Sequence, residues 1–241
     1  MLSFPVLKPE VLGRRLAKLR RLGFERCVSL GDYKVEGLRV LGRGHSSIVF
    51  AAEFRDLGVV AVKTLRTDSK RDSLLQECDL IRRAYPVAPE IYSCDDEFIV
   101  MELVRGVKLG DLVKNTIECR ILIPLYIKIL AASRYLDMKE VTHKELNVLK
   151  KHVLVEETHK VRVIDFESGF MGFTCNVCRV FSTLFIKDVH VKMCCDLGSP
   201  PTQAFLEMLR RYKKTNSSDL FIELIKAISS KCLSNSCRCV S

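Results

Sequence analysis

The chain has 241 residues, with 39 lysines and arginines against 29 aspartates and glutamates, a formal net charge of +10, and 48% hydrophobic residues. This composition excludes a disordered tail, and a chain of this length buries about 70–75% of the surface its unfolded form exposes, so one large or two small cores are possible without metals or disulfides. The greasiest stretch, Ile121 to Ala132, is interrupted by Pro124 and Lys128, and Met1-Leu-Ser-Phe-Pro-Val-Leu-Lys8 carries no secretory pattern, so a soluble cytoplasmic protein with no membrane partner is expected.

Residues 1–30 carry seven basic side chains (Lys8, Arg14, Arg15, Lys18, Arg20, Arg21 and Arg26) against Glu10 and Glu25. Val11, Leu12, Arg15, Leu16, Leu19 and Leu22 recur at helical spacing, which predicts an amphipathic helix ending near Gly23. Its basic face is either solvated or a contact for RNA or the ribosome. From Leu38 the pattern turns strand-like. Leu38–Gly42, Ser47–Phe54 and Val59–Leu65 alternate or run apolar, with Arg55-Asp-Leu-Gly58 as a tight turn, so a three-stranded antiparallel meander is expected. Ser69 to Ala84 reads as a helix capped by Asp68 or Ser69, with Pro86 beyond its end. Ile91–Cys94 and Phe98–Val104 are two further strands about the acidic turn Asp95-Asp-Glu97. Beyond Gly106 the character is helical, with Ile117–Leu136 a buried helix kinked at Pro124. Val153–Glu156 and Val161–Asp165 form a hairpin about Glu157-Thr-His-Lys160, and Asn176–Ile186, Pro201–Tyr212 and Leu220–Lys231 read as helices. Five antiparallel strands with one helix, then a mostly helical half, predict a two-lobed α+β fold. The expected segments are a basic helical extension over 1–30, a first lobe over 31–104 and a reduced second lobe over 105–241.

Seven of the eleven cysteines lie from Cys175 onward. Cys175-Asn-Val-Cys178 has the spacing of half a zinc site, which Cys194, Cys195, Cys232, Cys237 or Cys239 would have to complete; no second well-spaced pair does so. Buried small apolar residues, with a disulfide near the C-terminus, are the plainer expectation. Many cysteines with only two glutamines in a cytosolic chain fit a hyperthermophilic source.

The residues that carry chemistry begin with Gly42-Arg-Gly44-His-Ser-Ser47-Ile-Val49 between two strands, where bare backbone lets N–H groups approach phosphate closely. Val60-Ala-Val-Lys63 follows, and a lysine at the end of an apolar strand is costly to bury without an anionic partner; Glu77, in the next helix, is the candidate. Farther on, Thr142-His-Lys-Glu145-Leu146 precedes the hairpin and Val163-Ile-Asp165-Phe-Glu167 ends it. One carboxylate to orient a hydroxyl and one to hold a cation are what phosphoryl transfer asks of a protein.

In this order of motifs the chain resembles the protein kinase-like superfamily over about residues 38–186. The resemblance implies ATP and Mg²⁺ as cofactors. It implies that Gly42, Gly44, Ser47 and Val49 cover the nucleotide, that Lys63, paired to Glu77, binds its α/β-phosphates, that Asp165 holds Mg²⁺ and that Glu145 acts as the base. Met101 would be the gatekeeper, with the backbone of Glu102 and Val104 at the adenine edge. His143 is implied to be a structural, backbone-binding residue.

Several positions depart from the pattern. The third loop glycine is Ser47, tolerable if its φ is negative; the usual H-R-D is His143-Lys144-Glu145; and Glu167 follows Asp-Phe in place of glycine. The usual asparagine is replaced by Lys150 or, with a two-residue insertion, by His152, and Asn147 is the alternative source of a second metal ligand. Too few residues separate Phe166 from the helix at Asn176 for a regulated activation segment. In this the chain resembles the small atypical microbial kinases, among them the RIO-type proteins, the tRNA-threonylcarbamoyl kinase and predicted archaeal serine/threonine kinases with an H-x-E-L loop and a following Lys-His, here Lys151-His152. The expected function is an ATP- and Mg²⁺-dependent serine/threonine phosphotransferase acting on a protein or on itself. The alternatives are a nucleotide-binding ATPase switch or adaptor, or an RNA- or ribosome-associated factor.

Overall fold

The computed structural model describes residues 1–114, 118–188 and 203–233. The chain divides into two compact units, Met1–Tyr85 with Pro89–Val104, and Pro86–Ala88 with the chain from Arg105 on.

The first unit opens with α1 (Pro9–Arg21), begun by a proline whose missing N–H costs a helix nothing at its first turn and ended by Lys18, Arg20 and Arg21, which complement the negative C-terminal end of its dipole. Leu19 is fully buried, and Leu12 and Leu16 pack against the same core as Ile48, Phe50, Phe54, Val62 and Val100. The chain then forms β1 (Phe24–Val28), β2 (Tyr33–Val35), β3 (Leu38–Val40), β4 (Gly42–Arg43), β5 (Ser47–Phe54), β6 (Gly58–Leu65), α2 (Leu75–Ala84), β7 (Ile91–Cys94) and β8 (Phe98–Met101).

Six of these strands make one antiparallel sheet, in the order β1-β5-β6-β8-β7 with β4 on β5. The sheet thus has six strands where five were expected. Residues 24–28 pair with β5 inside the sheet, and all of 1–30 belongs to the first unit. The expected strand Leu38–Gly42 is split, because Leu38–Val40 pairs with Tyr33–Val35 in a separate hairpin. Its two-residue turn holds Glu36 and Gly37 at φ 49° and 84°, the left-handed pair that a tight hairpin requires. Helix α2 begins at Leu75, later than expected, because Ser73 Oγ accepts the Leu75 N–H at 3.1 Å while Ser69 Oγ accepts that of Arg71.

The basic face of α1 is largely spent inside the protein. Arg14, Arg15 and Lys18 all bond Glu97, and Lys18 also bonds Asp95. Burial of Glu97 opposes its ionisation, but the hydrogen bonds from Arg14, Lys18 and Arg15 outweigh it and hold its carboxyl at about 2. Arg20 and Arg21 stay exposed.

The second unit comprises β9 (Gly106–Lys108), α3 (Leu109–Lys114), α4 (Cys119–Met138), β10 (Val141–Thr142), a 3-10 turn (Leu146–Val148), α5 (Leu149–His152), β11 (Val153–Glu156), β12 (Val161–Val163), β13 (Phe170–Met171), α6 (Asn176–Phe181) running into a wider turn to Lys187, α7 (Gln203–Thr215) and α8 (Ser218–Leu233). The expected hairpin is present as β11–β12, with the unforeseen β9 as its third strand. Helix α4 buries Leu122, Leu125, Tyr126, Ile129, Leu130 and Leu136 as the core of this unit, with Pro124 near its start. A Cβ at Gly110 would lie 2.9 Å from Lys150 O, so only glycine lets α3 approach α5 this closely and set where β11 begins. Among the described residues no helix is long and apolar enough to cross a membrane.

Candidate active site

In the first unit, strand pleating does the positioning. Val49 is the cross-strand partner of Lys63, Lys63 of Ile99, and Ala61 of both Ala51 and Met101, so these residues share one face of the sheet. Ile48, Phe50, Val62, Phe98 and Val100 take the other face and join the core under α1. Lys63, 3% exposed, therefore projects toward α2, where its Nζ meets Glu77 Oε1 at 2.6 Å. The other carboxylate oxygen of Glu77 accepts a bond from Arg71 Nη1 at 3.0 Å, a partner with no signature in the sequence. A disulfide between Cys78 and Cys94 ties the same turn of α2 to β7.

The glycine turn is closed by Gly44 N–H donating to Ser47 O at 2.9 Å. Neither Gly42 nor Gly44 has positive φ, and a Cβ on either would meet nothing closer than 3.5 Å. The fold itself does not demand glycine there; what the two glycines provide is uncovered backbone, which fits a polyphosphate beside a buried lysine. Ser47 is buried without positive φ, which explains why serine is accepted in the third position. Met101 and Val104 are half-buried, and the Glu102 N–H is engaged by Glu90 O at 2.8 Å, so Glu102 would present its carbonyl to an adenine edge.

In the second unit, β11 starts at Val153, so it is His152 that stands immediately before the hairpin in the place of the missing asparagine. Lys150 points elsewhere, its Nζ 3.5 Å from Asp188, and Asn147 lies exposed in the 3-10 turn. The hairpin brings Glu145, His152 and Asp165 together, with donor atoms within 4.8 Å of one another. His152 Nε2 lies 2.9 Å from Glu145 Oε2, and its Nδ1 lies 3.8 Å from Asp165 Oδ2. The histidine side chain is 11% exposed and the two carboxylates 44% and 42%, a ring held in protein with both acids reaching solvent. Carboxylate and imidazole donors in this number suit a divalent cation.

The backbone around this cluster is pinned from inside. His143 is fully buried and its Nε2 donates to Ile164 O at 3.1 Å, the expected structural role; burial lowers its pKa, so the ring is neutral. Ile164 N–H in turn donates to His152 O, and Asp165 follows at φ 67°, a left-handed conformation that aspartate tolerates better than most residues. Phe166 packs edge-on against His143, and Glu167 lies half-buried in the turn closed by Gly169 N–H on Phe166 O.

Three further residues hold the loop, and sequence reasoning missed them. Asp137, at the end of α4, accepts the N–H and side-chain amide of Asn176, the N–H of Val177 and the hydroxyl of Tyr212. Asn176 Oδ1 accepts the His143 N–H, and Arg179 Nη1 donates to His143 O at 2.9 Å. Cys175 and Cys178 flank Asn176 and are joined as a disulfide, so they offer no thiolate pair and the zinc half-site is set aside. Cys194, Cys195, Cys237 and Cys239 lie outside the described residues.

The geometry agrees with comparison to known proteins. The family model described as protein tyrosine and serine/threonine kinase matches residues 35–170, which span the glycine turn, Lys63, Glu77, Glu145, His152 and Asp165. A search of curated proteins finds none that matches.

Proposed function

The chain belongs to the protein tyrosine and serine/threonine kinase family, whose members use ATP and a divalent metal, and from that premise we propose that it phosphorylates serine or threonine hydroxyls of a protein, its own chain included. The observation that carries the proposal is the meeting of Glu145, His152 and Asp165 at one end of the hairpin. ATP supplies the phosphoryl group, and a divalent ion, Mg²⁺ by family resemblance, neutralises its charge. Lys63, held in place by Glu77, would bind the α/β-phosphates, and the bare backbone of Gly42 and Gly44 would cover them. Asp165 would hold the ion. Glu145 would take the proton of the acceptor hydroxyl as that oxygen bonds the γ-phosphorus and the bond to the β-phosphate oxygen breaks, leaving ADP. The short stretch from Phe166 to α6 supports a place among the small atypical kinases.

The test is incubation with γ-labelled ATP and a divalent cation beside Asp165→Ala and Glu145→Ala, following label on protein and free phosphate. Labelled serine or threonine lost in both variants is the expected result. Free phosphate without labelled protein replaces the proposal with an ATPase switch, a reading favoured by the tie of Glu145 to His152. An RNA- or ribosome-bound role would rest on the exposed Arg20 and Arg21, since Arg14, Arg15 and Lys18 are in ion pairs.

A further inference from the structure

The orientation of the His152 ring divides the three-residue cluster into distinct roles. Its Nε2 is within hydrogen-bond distance of Glu145 Oε2, at 2.9 Å, and a carboxylate oxygen accepts, so the proton sits on Nε2. In the neutral imidazole, the form that binds a metal, the lone pair then lies on Nδ1, and Asp165 Oδ2 stands 3.8 Å from that nitrogen. That separation is too long for a hydrogen bond. It suits two ligands of one ion, because donor atoms bonded at about 2.1 Å lie about 3.0 Å apart at a right angle and about 3.8 Å apart at a wider one. A carboxylate on the far nitrogen of a metal-binding imidazole fixes tautomer and ring orientation and raises ligand basicity.

We infer that His152 Nδ1 and Asp165 are the protein ligands of a first-row transition ion, for which Mn²⁺ serves as the probe, and that Glu145 Oε2 aims the imidazole while its other carboxylate oxygen is left for the proposed role as base. Mg²⁺ prefers oxygen ligands and retains its waters, whereas an imidazole nitrogen raises affinity for transition ions. The substitution of histidine for the family's amide therefore changes which ion the site selects, without removing the site. The inference rests on the phosphotransferase reading only for what the bound ion does; binding itself needs no nucleotide.

The experiment is titration of nucleotide-free protein with Mn²⁺ alone, read by loss of the free-ion EPR signal, with Mg²⁺ as competitor. Wild type is expected to hold one Mn²⁺ per chain, and Asp165→Ala none. His152→Asn should weaken Mn²⁺ by at least about tenfold and bring Mg²⁺ closer to parity, and Glu145→Ala should weaken it by about 10–100-fold, the range for loss of an orienting carboxylate. A readout independent of any variant is ¹⁵N NMR of histidine-labelled wild type with Zn²⁺ as a diamagnetic probe, in which His152 Nδ1 should shift as a coordinated nitrogen while Nε2 stays protonated. Mn²⁺ affinity unchanged in His152→Asn, or coordination through Nε2, overturns the assignment. Phosphorylation with Mg²⁺ by a chain that holds no Mn²⁺ without nucleotide also overturns it and leaves the proposed function standing. Mn²⁺ held as described by a chain that phosphorylates nothing supports the site and removes the function.

Discussion

Replacing Glu77 with leucine separates what the buried ion pair does for stability from what it does for chemistry. Lys63 is 3% exposed and Glu77 1%, with 2.6 Å between ammonium and carboxylate, so the single change removes the carboxylate paired with a buried cation. Breaking a buried pair this way costs about 3–5 kcal/mol, whereas replacing both members with apolar groups of similar volume is often neutral. Arg71, 19% exposed in its side chain, can turn outward when its acceptor goes. Urea unfolding should therefore show Glu77→Leu destabilised by about 3–5 kcal/mol and Lys63→Met with Glu77→Leu restored to within about 1 kcal/mol of wild type. The double variant, though stable, should transfer no phosphate, because the cation proposed to bind the nucleotide is gone. A single variant as stable as wild type would refute the burial argument. A double variant that still phosphorylates would refute the role given to Lys63.

The Cys78–Cys94 bridge closes a loop of sequence separation 16, so Cys94→Ser should lose about 3 kcal/mol under non-reducing conditions, measured by urea unfolding, and match wild type in reductant. Glu97 has a carboxyl held at about 2 in the folded chain, below its unfolded value, so its contribution is fully present above about pH 4.5 and fades as pH falls toward 2. Glu97→Gln should flatten the stability-against-pH curve in that window, and a curve parallel to wild type would remove Glu97 as its source. Asn176→Ala leaves the His143 N–H without its acceptor and should cost about 1–3 kcal/mol; phosphoryl transfer should fall while nucleotide affinity, proposed to rest on Gly42, Gly44 and Lys63, stays unchanged in equilibrium dialysis. In a double-mutant cycle on metal affinity, Glu145→Asp and His152→Asn should be coupled by about 0.5–3 kcal/mol, and strict additivity would show that the two side chains act independently.

Much of this site was legible because its parts sit on elements with strong local periodicity. Val60-Ala-Val-Lys63 announces a buried strand ending in a charge, and the apolar runs either side of Glu157-Thr-His-Lys160 announce the hairpin that carries Asp165. The strands that escaped notice are short and carry little alternation. Tyr33–Val35 has one buried residue, Gly106–Lys108 none, and Phe24–Val28 none, so each is a strand only because a neighbour offers it backbone partners. The polar residues that escaped notice fail for the same reason. Nothing local to Arg71, Asp137 or Asn176 says which buried group each will meet, since tertiary approach alone creates the partner. The Cys-x-x-Cys spacing misled in the opposite sense, because a local motif fits zinc and a disulfide equally well, and Cys175 at φ 61° lets the chain close on itself.

Glu145 and His152 depart from the family's loop in what looks, letter by letter, like the loss of a base and of a metal ligand. Physically the two departures are one. An aspartate at 145 would end one C–C bond, about 1.5 Å, short of its present reach, leaving His152 Nε2 well beyond the 2.9 Å that now separates it from the carboxylate. A nearly buried imidazole N–H without an acceptor costs about 1–3 kcal/mol, so the histidine is tolerable there only with the longer acid. Conversely, an asparagine at 152 ends closer to its own backbone than an imidazole does and draws its polar group back from Glu145. Once the ring is satisfied at Nε2, its other nitrogen faces Asp165, and on the assignment proposed above the site exchanges an all-oxygen ligand set for a mixed one while keeping a carboxylate at the reacting end. The proposed exchange therefore calls for assaying phosphotransferase activity with Mn²⁺ beside Mg²⁺, and activity in Mg²⁺ equal to that in Mn²⁺ would count against it.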